Sequence, residues 1–582
     1  MQPSIYQQQV IDWGINQGNH QNSVVNSVAG AGKSTLLRLV AQAMTPIIEP
    51  RNCWVLVFNR KNKDALIKKL PDNWSKSIAT VHSAGYRVLS RYLGNRRLDV
   101  REHKYRQLAQ QLDWFNGSNP EQAKVISRSS FLKLAEFLRT TLSGTSAEAL
   151  AQLIDHYGLD VDKQHLEAIG LKLNQLFAMG IEIAWSEKIV DYTDQLYLPL
   201  VWQINRQPGF NFAHSIMVDE AQDMSRLQLE FVLSLANTQT KMLFVGDPAQ
   251  SINGFCGADT QSFERIKQRL QAQEFTLPIC YRCPVSHIEL INQLYPEIPI
   301  KQRDNAPPGK IEVIAESALW QPESEARVRP KDLIIARCTS TLVDLNLKLI
   351  TRGIACNLVG STLKQTLLEL LDDIVSQPDF CYQEFLKCSQ AYLEFKRSLY
   401  EANDNGPILL MQLQDKIKAL KAIYQHFTQC QSIEELVANI ERLFGSEDNE
   451  AVLLSTIHRA KGMEAARVFI AEPLSLPLIW DNQKPWQEQQ EHNLLYVALS
   501  RSTQDLFLIG DALWFDGNLQ PQESSVEFPE SYSTPNFNQL IAQASVEELF
   551  EYQESIQLEL GKRIASKFQD LRSSDYQLIA DS

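Results

Sequence analysis

Residues 26–37 read "NSVAGAGKSTLL", which brings two glycines, a lysine and three hydroxyl side chains into one short stretch. Gly30 and Gly32 let backbone amides curl around a phosphate, because glycine adopts positive φ without steric cost. Lys33 adds a fixed positive charge toward β- and γ-phosphates, and Ser34 can ligate Mg2+. With Ala31 and Thr35, these residues form an expected phosphate cradle, and a helix opening at Lys33 adds its dipole. The strict GxxxxGK[ST] pattern fails at its first glycine, where Ser27 stands. Such a loop needs a second carboxylate position for the metal and the attacking water. "IMVDEAQD" (216–223) supplies one at the end of an apolar run. Asp219 would hold Mg2+, and Glu220 would orient or deprotonate the water. A surface acid pair is the bland alternative, and the buried-strand setting opposes it. No segment resembles the NKxD signature that reads guanine, so adenine is the expected base. Gln7 in "PSIYQQQVI" is a candidate to read it, although a lone glutamine is usually surface.

Elements must hold these groups. Short apolar runs rich in β-branched residues recur: "SVVNSVA" (23–29), "CWVLVFN" (53–59), "HSIMVDE" (214–220) and "KMLFVGD" (241–247). A second set follows: "DLIIAR" (332–337), "VLLSTIH" (452–458), "ARVFIAE" (466–472) and "DLFLIGD" (505–511). Continuous apolar strands between helices read as buried parallel sheets. The fold class expected is therefore α/β, with two cores, each interrupted by a mainly helical insertion. The boundaries expected are 1–95 and 181–275 for the first core, with an insertion at 96–180. The second core takes 276–364 and 446–515, with an insertion at 365–445. Residues 516–582 read as an acidic, Pro-containing linker followed by an amphipathic helix.

Composition narrows the class. The 582 residues are 44% hydrophobic, with no apolar run long enough for a membrane helix. The first residues lack the pattern of a secretion signal. Nine scattered cysteines suit a reducing, cytoplasmic compartment, and "CYRCP" reads as structural rather than metal-binding. The net charge of −13 argues on its face against nucleic acid, but it is uneven. Residues 519–582 carry 11 acidic against 4 basic residues, whereas 86–140 carry 11 basic against 5 acidic. The basic stretch, with Arg91, Arg96, Arg97, Arg101, Lys104 and Arg106, is either a local groove or a solvated face.

The order of the segments resembles the UvrD/Rep type of superfamily 1 DNA helicases over roughly residues 3–515. Gln7 sits where that family reads adenine, and "DYTDQL" (191–196) is similar to its short acidic motif. "VFNRKNKDAL" (57–66) and "TVHSAGYRVL" (80–89) resemble segments contacting single-stranded DNA, which implicates Phe58, Asn59, Thr80 and His82. "VGDPAQSINGF" (245–255) resembles the coupling motif, with Gln250 near the γ-phosphate and Phe255 stacking on a base. "YRCP" (281–284) implies Tyr281 near adenine and Arg282 at the γ-phosphate. "STIHRAKGMEAARVFI" (455–470) implies His458 on DNA and Glu464 at the nucleotide. "QEHNLLYVALSRS" (490–502) implies that Arg501 completes the ATP site. If both arginines reach the γ-phosphate, ATP is bound between the two cores, and hydrolysis lets them part. The resemblance implies two RecA-like domains and a 3′ to 5′ translocase and helicase using ATP and Mg2+. Its partners would be single-stranded and tailed duplex DNA.

Three departures qualify this. Asn253 and Cys256 replace an aromatic and an arginine that the family often has there. The second insertion is short beside the family's usual one, where duplex handling often lies. The tail carries no nuclease signature and no cysteine cluster. Two alternatives stay open: a nucleotide-gated ATPase that senses DNA ends or a partner protein through the acidic tail, and RNA as substrate.

Overall fold

The computed structural model describes residues 2–515 apart from 17, 19–20, 95, 116–124, 158, 160, 162, 253–261, 401–405, 445–449, 481–482 and 513. Two six-stranded sheets organise it, each parallel throughout. The first contains β1 (Ser23–Ser27), β2 (Cys53–Val57), β3 (Ile78–Thr80), β4 (Ser215–Val218), β5 (Lys241–Gly246) and β6 (Gln273–Leu277), in the order β3-β2-β4-β5-β1-β6. The second contains β7 (Lys310–Ile314), β8 (Leu333–Ala336), β9 (Cys356–Leu358), β10 (Val452–Thr456), β11 (Ala465–Ala471) and β12 (Ser502–Ile509), in the order β7-β12-β11-β8-β10-β9. Both are RecA-like α/β cores. In the first, the chain leaves β1 and crosses to β2, three places away. The carboxyl ends of β4, β5 and β1 therefore lie side by side at a switch point, where open α/β sheets bind ligands.

Side-chain alternation explains how the cores join. Val25, Val55, Val57, Met217, Leu243 and Val245 of the first sheet share one apolar cluster with Leu333, Ile335, Val468, Ile470, Leu506 and Leu508 of the second. Their strand neighbours point the opposite way, into separate clusters: Val24, Leu56, Ile216 and Phe244 into one, Ile334, Leu454, Phe469 and Phe507 into another. Each sheet thus spends one face on a core common to both domains. The helix Pro485–Leu499 runs through that shared layer with Leu494, Leu495, Val497 and Leu499 buried.

Four helices matter for the first core: α1 (Ile5–Ile15), α2 (Lys33–Met44), α3 (Arg60–Ile67) and α4 (Val81–Tyr92). Among the described residues the first insertion holds four α-helices between Lys104 and Ser186, and the second four between Ser361 and Leu443. A buried ion cluster ties the first insertion to its core. Asp194 takes Lys104 at 2.5 Å and Arg139 at 3.2 Å, and Tyr105 donates to it at 3.0 Å. Arg139 also reaches Asp191 at 2.8 Å. Lys104 is 2% exposed, so it belongs neither to a basic groove nor to a solvated face. The acids of "DYTDQL" bind protein cations here. The tail expected beyond 515 lies outside the described residues.

Candidate active site

The cradle forms where a buried strand meets an uncapped helix. β1 ends at Ser27, and Gly30 and Gly32 take φ values of +66° and +82° before α2 begins at Lys33. No side chain caps α2, so its first amides and its dipole are available to an anion. Ser27 braces the fold, because its hydroxyl donates to the Gly246 carbonyl at 2.7 Å and so pins β1 to the end of β5.

Lys33 reaches Glu220 at 2.9 Å. Burial works against the Lys33 ammonium, but Glu220, Asp247 and Asp219 together hold its pKa above the ordinary value. Burial lifts the Asp219 carboxyl, and the charge of Glu220 pushes it the same way. For Glu220, burial is outweighed by Lys33, Lys461 and a hydrogen bond from Gln222, which keep it ionised. Glu220 adopts a left-handed backbone, φ +55°, which is rare for a side-chain-bearing residue. Asp247, at the end of β5, is raised to about 6 by burial.

The second core closes over this group. Tyr496 accepts from the Ala29 amide at 2.8 Å and lies 3.5 Å from Asp247. Lys461 pairs with Asp223 at 2.6 Å, and Asn493 donates to the Ser251 carbonyl at 2.8 Å. Arg501, 1% exposed, donates to Gln250 at 3.3 Å and to the Val497 carbonyl at 2.8 Å. Arg282 donates to Glu464 at 2.8 Å and to the Ser500 carbonyl at 3.1 Å. A Cβ built on Gly30 would sit 2.6 Å from the Cβ of Arg282, so the arginine backbone rests on the loop. The Tyr281 amide donates to the Gly30 carbonyl at 3.0 Å. Gln7 and Tyr281 flank Gly32, at 3.5 and 4.0 Å from a Cβ built there. Gln7 also serves locally, since its side-chain oxygen accepts from the Ser4 amide in a capping box at the start of α1.

Among the described residues, no cluster of three or more His, Cys, Asp or Glu side chains could hold a metal alone. The oxygens present, the Asp219 carboxylate and the Ser34 hydroxyl, suit Mg2+ held partly by substrate phosphates. Two cavities of about 420 and 710 Å3 are lined by other residues and lie away from Lys33.

The matching families are the UvrD/REP helicase N-terminal domain, over residues 12–271, and the UvrD-like helicase C-terminal domain, over residues 451–509. This chain belongs to the UvrD/Rep-type superfamily 1 DNA helicases. It is similar to a probable DNA helicase II homolog of Mycoplasma pneumoniae, 22% identical over 84% of this chain and 81% of that protein. A probable DNA helicase of the same organism is 24% identical over 51% of this chain and 43% of its own length. F-box DNA helicase 1 of Gallus gallus is 29% identical over 54% of this chain, and the match spans 30% of that protein.

In this helicase the residues expected to meet DNA are spread over both cores. Phe58 is 39% exposed beyond β2. Asn59 caps α3 by accepting from the Asn62 amide at 2.8 Å, and Thr80 caps α4 through the Ser83 amide at 3.1 Å. Both polar oxygens thus already have backbone partners. Burial lowers the His82 pKa, only partly offset by Glu136 from the first insertion. His458 stands at the carboxyl end of β10, where burial and then Arg337 pull its pKa to about 3, so the ring is neutral. Phe255 lies outside the described residues.

Reading the sequence by motif missed Lys461 with Asp223, Tyr496 and Asp247 at the seam and, within the second core, the bidentate pair of Arg337 with buried Glu491. Arg337 carried a legible signal, a cation directly after the apolar strand "DLIIA". The others lie inside quoted motifs, but residue type alone does not show which side chain crosses between domains.

Proposed function

We propose that this helicase is an ATP-driven translocase that moves 3′ to 5′ along single-stranded DNA and separates strands ahead of it. The observation that carries the reading is the seam, where Lys33 and Glu220 of one core lie among Arg282, Arg501 and Lys461. A triphosphate entering there exchanges the Lys33–Glu220 pair for a Lys33–phosphate pair and frees Glu220 to position water. Mg2+, when bound through Ser34 and Asp219, would offset charge on the phosphate oxygens. Gln7 and Tyr281 hold the base beside Gly32. Arg282 and Arg501 turn toward the terminal phosphate, for which a guanidinium fork is suited.

Coupling to DNA follows from one connection. Residues 457–464 run from the carboxyl end of β10 to the amino end of β11, across the face of the second sheet. His458 stands at its start, and Lys461 and Glu464 at the seam. Movement of the seam therefore pulls on the strand-gripping end.

The test measures ATP hydrolysis with single-stranded DNA, duplex DNA and RNA side by side, with strand displacement from 3′- and 5′-tailed duplexes. Single-stranded DNA should stimulate hydrolysis strongly, and Lys33→Ala or Glu220→Gln should lower it by about 10²–10⁴-fold. Equal rates with and without nucleic acid would refute the reading. Stimulated hydrolysis that never displaces a 3′-tailed strand would favour the sensing ATPase instead.

A further inference from the structure

A cavity of about 420 Å3 opens at the amino-terminal edge of the first sheet, the edge opposite the phosphate loop. Cys53 and Trp54 at the start of β2, the segment before β4 and the last turns of α4 build it. Its four charged lining residues, Arg51, Lys76, Arg87 and Arg91, are all cations. Among the described residues no carboxylate lines it; Arg51 pairs with Glu49 at the rim. Arg87 lies over the Trp54 ring at 5.5 Å and donates to the Lys76 carbonyl at 3.0 Å. Burial lowers the Arg87 pKa with no acid offsetting it. Phe210 and Phe212 add a pair of rings 5.0 Å apart.

Cations set around aromatic faces, with no carboxylate among them, match a ligand with both a phosphodiester and a flat ring. Base stacking with sequence-tolerant phosphate contacts is how single strands are held, and the volume suits a group of nucleotide size. α4 gives continuity: Thr80 and His82 stand at its start, and its last turns carry Arg87 and Arg91, the latter about 14 Å along the axis from His82. We propose that this cavity is a second contact for single-stranded nucleic acid, engaging a phosphate through Lys76, Arg87 and Arg91 and a base against Phe212 and Trp54. The inference rests on the reading of this helicase as a single-strand binder and extends the strand's path beyond the groove between the cores.

The experiment compares wild type, K76E/R91E and Phe212→Ala in equilibrium binding to short and long oligothymidylates across a salt titration. Hydrolysis with saturating short oligomer is recorded in parallel. Losing the contact to one phosphate lowers the salt slope by about 0.7, so K76E/R91E should lose about that much on the long oligomer. Its short-oligomer affinity and hydrolysis rate should match wild type. Phe212→Ala should weaken the long thymidylate by about fivefold or more, but not a long abasic chain. An unchanged long-oligomer slope in K76E/R91E overturns the proposal, as does an oligoglutamate that displaces the long oligomer as well as a nucleic acid does. Failure of wild type to bind any oligomer overturns this inference together with the function it extends, whereas failure of the variants alone to differ removes only the inference.

Discussion

At the scale of single residues, the tightest constraint is at Gly30. A methyl group there would stand 2.6 Å from the Arg282 Cβ and 3.1 Å from the Cys280 sulfur, on a backbone with φ +66°. Gly30→Ala must therefore push the 280–282 segment off the loop and carry Tyr281 and Arg282 with it. Displacements of this size cost about 10²-fold in rate, so kcat/KM for ATP should fall by about that factor while circular dichroism stays native. His287 offers a different test. It is fully buried, its Nε2 has no partner among the described residues, and burial pulls its pKa to about 4. In the unfolded chain the same ring protonates near about 6.5. As pH falls from about 6.5 toward about 4, only the unfolded state gains that proton, so folding stability declines by up to about 1.4 kcal/mol per pH unit. Denaturant titrations at several pH values should show His287→Leu losing less stability over that window than wild type.

At the scale of elements, charge does more than strand pairing to hold the first insertion, since among the described residues only Asp99–Val100 and Ile189–Val190 pair at its root. Removing one member of a buried ion cluster leaves its partners uncompensated, typically at about 3–5 kcal/mol. Asp194→Asn should lower unfolding stability by about that amount and loosen the helices 104–186, read as faster amide exchange there than in β1 or β5. The sheets also show what a sequence reveals of elements. Eight strands stood out as continuous apolar runs because they lie inside the sheets, covered on both faces. Ile78–Thr80, Gln273–Leu277, Lys310–Ile314 and Cys356–Leu358 escaped notice, and all four are edge strands. Gln273–Leu277 alternates half-buried and exposed residues, and Ile78–Thr80 and Cys356–Leu358 have only three residues each. Likewise, Lys104 reads in sequence as either a groove or a solvated face, because its partner Asp194 stands 90 residues away.

At the scale of the molecule, motif order implies by resemblance that two domains share one nucleotide site, because each motif carries its own local spacing. The pairs that cross the seam stayed hidden, since the pairing of Lys461 with Asp223 depends on where two sheets come to rest. Those sheets meet through a common apolar layer and not merely through charges. Pulling them apart wets hydrocarbon, so the proposed stroke would work against a spring made of water's aversion to oil. Such a spring stiffens in sulfate and slackens in dilute urea. Stopped-flow measurements of domain parting after phosphate release should accordingly slow in sulfate and quicken in sub-denaturing urea, at matched ionic strength, whereas a purely electrostatic hinge would ignore the urea.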